Sequence, residues 1–381
     1  MLGWEFPPLI NGGLGVACHG LSTALTQHVD LTVILPGMAS PHSQLNLIGL
    51  NISAPESSEQ TALSPYLDAA SPEKNPLYAG DLGARITTYA HAALAYAHQT
   101  SFDIIHAHDW MTALAGLEIQ RATGKSLVFH IHSLAYDRSG PEERGWIYQI
   151  EKQIIAAANL VITVSHYTRE ICLQHYEGAP HKIFTVHNGA ENITPFRSAP
   201  PFPEKLVLFL GRLTRQKAPH SFLKIAAQIL KSNNDVRFIL AGTGDQLSSL
   251  KEECLALGIA DKVHFPGFQN REQVHTLLSQ ASVYCMPSAS EPFGISALEA
   301  AQFGVPVVLS KQSGAAEALT HAPSAKAWDL DRMAQHIQEL LRNDELHHHC
   351  SQALLAEQEK FTWQKAAQKV YGLYLMHFPI S

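Results

Sequence analysis

Lys205-Leu206-Val207-Leu208-Phe209-Leu210-Gly211 opens a pattern that sets the fold. A short apolar run closes at glycine, a segment of helical period fills residues 221–231, and Val236-Arg237-Phe238-Ile239-Leu240-Ala241 follows. An apolar run that hardly alternates suits a strand buried on both faces, and the helix between two such strands covers one of those faces. Further runs at 262–265, 283–286 and 305–309 each close at Gly, Pro or Ser, with a helical segment again at 246–257. Strands alternating with helices predict βαβ units and a parallel sheet.

The first half repeats the theme at 31–35, 103–107, 126–131, 160–164 and 183–186. Between the halves, residues 192–203 hold Pro195, Pro200, Pro201 and Pro203, which no helix interior or central strand accepts. The expected fold class is therefore α/β, two Rossmann-like, doubly wound domains over residues 1–195 and 204–362. Such domains turn the carboxyl ends of their strands, and so their binding loops, toward a shared cleft. Residues 363–378 read as an amphipathic helix with Ala367, Val370, Leu373, Tyr374 and His377 spaced for one face. Residues 39–75, rich in Ser, Pro and Asn, read as a surface excursion. Met1-Leu2-Gly3 resembles the tail of a first strand, because Gly12-Gly13-Leu14-Gly15 and a helix follow soon after.

Apolar residues make up 46% of the 381 and charged residues 16%, which suits sizeable cores. The longest apolar runs are strand-length, well short of a membrane span. No charged leader ahead of an apolar core opens the chain, and the five cysteines (Cys18, Cys172, Cys254, Cys285, Cys350) form no CxxC pair, so a reducing, cytoplasmic setting is expected. The net charge of −7 argues against nucleic acid as the main partner. Residues 1–195 carry 17 acidic against 9 basic side chains, which argues against docking on an anionic membrane.

Chemistry concentrates where strands end. In Ser290-Glu291-Pro292-Phe293-Gly294-Ile295-Ser296-Ala297-Leu298-Glu299, Pro292 and Gly294 keep Glu291 in a loop, and a helix over 295–303 places Glu299 about one turn inside it. The free amides around Phe293, Gly294 and Ile295 suit a phosphate, and the two carboxylates suit hydroxyls on either side, a combination that describes a phosphate-linked sugar. Arg212 and Lys217 follow the strand at 205–210 in one loop. They are either a solvated basic turn or a guanidinium and an ammonium set to meet the charge growing on a pyrophosphate leaving group. Gly13 and Gly15 open a helix and allow close backbone approach to an anion or sugar, although glycine turns before helices are common. His106-Ala107-His108-Asp109-Trp110 and His130-Ile131-His132-Ser133 end two strands, with His106 and His108 on one face and His130 and His132 likewise paired. Four histidines and an aspartate make zinc conceivable, but no tight ligand spacing supports it. Core histidines are the plain reading of His106 and His130, while Asp109 and His132 sit at strand mouths. Asn188, in Val186-His187-Asn188-Gly189, belongs either to a plain turn or to the cleft, and His347-His348-His349 to a solvated helix face.

Taken in order, Gly12 to Gly15, His106 to Trp110, His132, Val186 to Gly189, Arg212 with Lys217, and Glu291 through Glu299 resemble the retaining GT-B glycosyltransferases that include glycogen synthases and sucrose-type synthases. The opening Gly3-Trp4-Glu5-Phe6-Pro7-Pro8 and residues 129–140 are similar to the bacterial glycogen-synthase-like branch in particular. The resemblance implies transfer of a hexose, glucose foremost, from a nucleotide diphosphate sugar to a hydroxyl acceptor, an α-glucan foremost, with no metal and no cofactor. A sucrose-type, lipid or cell-surface acceptor, and a silent glycan- or nucleotide-binding homologue, are the alternatives. Arg212 and Lys217 would neutralise the donor pyrophosphate, Glu291 would hold sugar hydroxyls, and Glu299 the ribose. His132 would meet the transferred sugar, Asp109 would shape its pocket, and Gly13 to Gly15 would line donor phosphates or the acceptor path. The last helix would pack back on the first domain. Glu191 and Ser313-Gly314-Ala315 depart from the family's usual residues.

Overall fold

The computed structural model describes residues 1–10, 12–38, 42–52, 81–142 and 144–378. They form two compact units, residues 1–189 with 363–381 and residues 190–362.

In the second unit six parallel strands stand side by side: β7 (Lys205–Leu210), β8 (Val236–Ala241), β9 (Val263–Gly267), β10 (Val283–Met286), β11 (Val307–Ser310) and β12 (Ser324–Ala325). Their spatial order is β12-β11-β10-β7-β8-β9, every pairing parallel. Read from β9 this is 3-2-1-4-5-6, the doubly wound order, and the direction of winding reverses between β7 and β10. Strand interiors are fully buried, as with Leu206, Val207 and Leu208, because helices α7 (Pro219–Leu230), α8 (Leu247–Ala256), α9 (Arg271–Gln280), α10 (Ile295–Gln302), α12 (Leu330–Arg342) and α13 (Asp344–Gln358) belong to the same unit. The proline-rich stretch belongs here too. Arg197 donates to the carbonyls of Gly304 (2.9 Å) and Ala281 (3.4 Å), so the chain passes between units at 189/190, before that stretch and not within it.

The first unit holds β1 (Thr32–Leu35), β2 (Asn46–Gly49), β3 (Ile104–His108), β4 (Ser126–Ile131), β5 (Leu160–Thr163) and β6 (Ile183–Thr185). Residues 1–3 supply the missing centre. Leu2 N–H donates to His106 O (2.7 Å) and its carbonyl accepts from His108 N–H (3.1 Å), while Gly3 N–H donates to Ile34 O (3.0 Å). This segment joins β1-β2 to β3-β4-β5-β6, so the winding reverses beside it, between residues 1–3 and β3. Trp4, just beyond, is buried edge-on against Tyr89 of α2 (Leu82–Ala97), with ring centroids 5.6 Å apart.

Strand β2 corrects the expected irregular excursion at its described part. Residues 39–41 and 53–75 of that stretch lie outside the described residues. The last helix, α14 (Trp363–His377), buries Trp363, Ala366, Ala367, Val370 and Tyr374, an i, i+3, i+4, i+7, i+11 stripe. It packs on α1 (Gly13–Leu25), where Gly20 leaves room for an indole: a Cβ there would stand 2.3 Å from Trp363. Leu373 and His377 are only half-buried, and Leu375 and Met376 are exposed. His347 on α13 also departs from a purely solvated face, since its Nε2 lies 2.8 Å from the Ser282 carbonyl.

Candidate active site

Each unit brings expected residues to the carboxyl ends of the strands at its reversal. In the second unit the loop after β7 is set by close glycine packing. A Cβ on Gly242 would lie 1.9 Å from Gly211 O, and one on Gly244 would lie 2.3 Å from Leu213 O. Leu213 N–H donates to Thr243 O (2.8 Å), so this turn fixes the half-buried Arg212 beside it. Lys217 ends a single helical turn and lays its stem over Gly211, whose Cβ position is 3.7 Å from Lys217 Cδ.

The loop after β10 comes to meet it. Ala289 N–H donates to Gln216 O (2.9 Å), and the Lys217 ammonium donates to the buried Glu291 Oε2. Ser288 Oγ adds a bond to the same oxygen (3.2 Å). Glu291 is held from behind, its N–H donating to Gln312 O (2.8 Å) and its carbonyl accepting from Gly314 N–H (3.0 Å). Buried Ser313 and Ala315 thus belong to the frame that positions the carboxylate.

Gly294 caps α10 at φ 99°, a conformation that favours glycine, and a Cβ there would stand 2.7 Å from Met286 Cε. Among the described residues no acceptor faces the amides of Gly294, Ile295 or Ser296, so the positive end of the helix is available to an anion. Phe293, just ahead of that end, is buried. Glu299, the fifth residue of α10, does not join the Lys217–Glu291 pair. Burial pushes its carboxyl above the usual range, and the nearby Arg271, itself paired with Glu191, draws it back.

In the first unit, four imidazoles form a slab. His106 Nε2 meets His130 Nδ1 edge to edge (3.2 Å), and His108 Nδ1 meets His132 Nε2 (2.8 Å). The two pairs stack face to face, 4.5 Å between the rings of His106 and His108 and 4.6 Å between those of His130 and His132. Tyr374 OH closes the slab at His106 Nδ1. Burial holds all four rings neutral, with His132 down to about 3. His132 Nδ1 is buried and has no hydrogen-bond partner among the described residues.

Asp109, in the left-handed region at φ 57°, accepts from the amides of His132 (2.7 Å) and Ser133 (3.1 Å). Burial raises its carboxyl to about 7 against those bonds and the Arg138 charge. Arg138 is itself paired with buried Glu151 (2.8 Å). Gly13 opens α1, and a Cβ on Gly15 would stand 2.9 Å from Ile10 Cγ1. Asn188 is buried after β6, apart from both clusters in the sequence.

Phe268 stands outside the set of residues expected from the sequence. It lies just beyond β9 after Gly267 and is 68% exposed, an aromatic face at the same strand ends as Lys217. The signal was present: an aromatic directly after a strand-closing glycine. Ser288 and the Gly242-Thr243-Gly244 turn also stand outside that set.

Residues 1–186 match the family described as "Starch synthase catalytic domain", and residues 192–354 match "Glycosyl transferases group 1". An uncharacterized glycosyltransferase of Methanocaldococcus jannaschii is 30% identical over 98% of this chain and 97% of its own. Among solved structures, a sucrose-phosphate synthase of Thermosynechococcus elongatus aligns with a TM-score of 0.77 at 20% identity, covering 98% of this chain and 95% of that one. The catalytic domain of Starch Synthase IV from Arabidopsis thaliana, bound to ADP and acarbose, aligns with a TM-score of 0.73 at 17% identity, covering 99% and 98%.

Proposed function

The chain belongs to the group 1 glycosyltransferases, GT-B enzymes akin to glycogen and starch synthases, and from that membership we propose that it moves glucose from a nucleoside diphosphate to a hydroxyl of an α-glucan with retention at the anomeric carbon. The observation that carries the reading is the meeting of Lys217 and Glu291 beside the unpartnered first-turn amides of α10, where the winding reverses. The pyrophosphate binds these amides, Lys217 and Arg212. As the glycosidic bond breaks, charge grows on the leaving phosphate, and fixed cations stabilise it at little reorganisation cost. Glu291, held by Gln312, Gly314 and Ser288, takes sugar hydroxyls, and Glu299 takes the ribose. Phe268 offers its exposed face to the base. His132 Nδ1 gains its missing partner when a sugar hydroxyl enters, and Asp109 fixes the backbone that carries it. No glycosyl-enzyme is assigned, since Glu291 already serves Lys217.

The test is transfer from UDP-, ADP- and GDP-glucose to maltooligosaccharides and, separately, to a hexose phosphate, with the new linkage read by proton NMR. An α-linked, elongated glucan is expected. A β-linkage would refute retention, and exclusive transfer to a phosphorylated monosaccharide would move the acceptor to the sucrose-type reading. Donor binding with neither transfer nor hydrolysis would point to a silent homologue.

A further inference from the structure

Where α1 meets the ends of β3 and β4, a thiol faces two imidazoles. We propose that Cys18, His108 and His132 form a binding site for a thiophilic divalent cation of the Zn²⁺ type, and that its occupation blocks sugar transfer. One ligand atom of each lies within 4.8 Å of the others, and exposures of 1%, 0% and 9% leave His132 as the mouth. Tetrahedral Zn–N and Zn–S bonds hold ligand atoms about 3.3–3.8 Å apart. The two imidazole nitrogens, 2.8 Å apart, must open and the thiol must close in to reach that range.

Ring planes decide between the candidate trios. A metal lies in the plane of each imidazole that binds it. His108 and His132 meet edge to edge at an interplanar angle of 17°, so one ion can lie in both planes in place of the shared proton. The alternative trio of His106, His108 and His130 includes two rings stacked at 3° with centroids 4.5 Å apart, whose lone pairs lie in separate parallel planes. That trio cannot share an ion. Burial foremost, then the buried Asp109 and Glu5, push the Cys18 thiol up, so the ion has to displace a firmly held proton.

The exchange balances. The Cys18 S–H bond breaks, its proton passes to solvent, and a Zn–S bond forms. The proton shared by the imidazoles moves to the other nitrogen of its own ring, so both rings bind neutral. Net release is one proton per ion. Inhibition rests on the sugar-binding role proposed for His132, because a ring drawn to the ion through Nε2 no longer sets Nδ1 toward the sugar, but uptake of the ion does not.

Full-length protein stripped with a chelator would be titrated with Zn²⁺ and, separately, Co²⁺. The expected result is one ion per chain, about one proton released on Zn²⁺ uptake, and a near-ultraviolet thiolate-to-cobalt band. Cys18→Ser and Cys18→Ala should lose the band, weaken Zn²⁺ at least about tenfold and free transfer from Zn²⁺ inhibition, while Cys254→Ser changes none of these. A wild-type cobalt complex with no thiolate band would overturn the site without recourse to any variant, as would a band that survives in Cys18→Ser. A protein that takes up one ion with the band but transfers no sugar would support the site and refute the function proposed above.

Discussion

Lys217 and Gly294 bound the donor corner at the scale of single residues. The Lys217 ammonium has a carboxylate partner in buried Glu291, so removing it takes away a cation and leaves that carboxylate with Ser288 alone among the described residues. Lys217→Ala should lower turnover by about 10²–10³, the loss of about 3 kcal/mol of leaving-group stabilisation, in a protein that still folds but melts at a lower temperature. A variant that transfers at near wild-type rate would remove Lys217 from the clamp. Gly294→Ala acts differently, because the backbone sits at φ 99° and the methyl would meet Met286. We expect about 1–3 kcal/mol of lost stability by denaturant titration, together with weaker donor binding. Only a structure that lets that turn relax would leave both unchanged.

At the scale of elements, Gly20 and Trp363 hold α14 on α1. Gly20→Val should lower the denaturant midpoint by about 1–3 kcal/mol of stability, because no side chain fits between the indole and the helix. An unchanged midpoint would mean that the two helices are not packed there. Glu204, just before β7, accepts from Arg237 of β8 and from Lys262 ahead of β9, and the Arg237 bond foremost holds its carboxyl down at about 2. A depressed carboxyl stabilises the fold above its unfolded value of about 4.5 and loses that contribution as pH falls toward 2. Wild type should therefore lose more stability than Glu204→Gln between pH 5 and 3, and parallel curves would dismiss the network. The same elements show what the sequence made legible. Strands β7 and β8 match the expected bounds residue for residue, since four or more consecutive buried apolar residues end at Gly211 and Gly242 and leave little room for another register. Strand β2 was missed because it is short, opens on exposed Asn46 and is half-buried elsewhere, and β12 because it spans two residues. The corner at 291–299 was legible because Pro292 and Gly294 punctuate it. The histidine slab was only half legible: alternation gives the face, but stacking depends on the β3–β4 register, which sets His108 opposite His130.

At the scale of the molecule, each unit reverses its winding beside its own cluster of polar side chains, and the nucleoside diphosphate is assigned wholly to the second. A ligand at about 100 times its dissociation constant should add about 2.7 kcal/mol to the unit that binds it. Hydrogen exchange with saturating nucleoside diphosphate should therefore slow chiefly in residues 190–362, and protection confined to residues 1–189 would relocate the site. The most direct measurement is calorimetric titration of the nucleoside diphosphate into full-length wild type and Lys217→Ala. One site per chain is expected in the wild type, with affinity at least about tenfold weaker in the variant. Equal affinity in the two proteins would contradict a donor site built on Lys217, Glu291 and the first turn of α10.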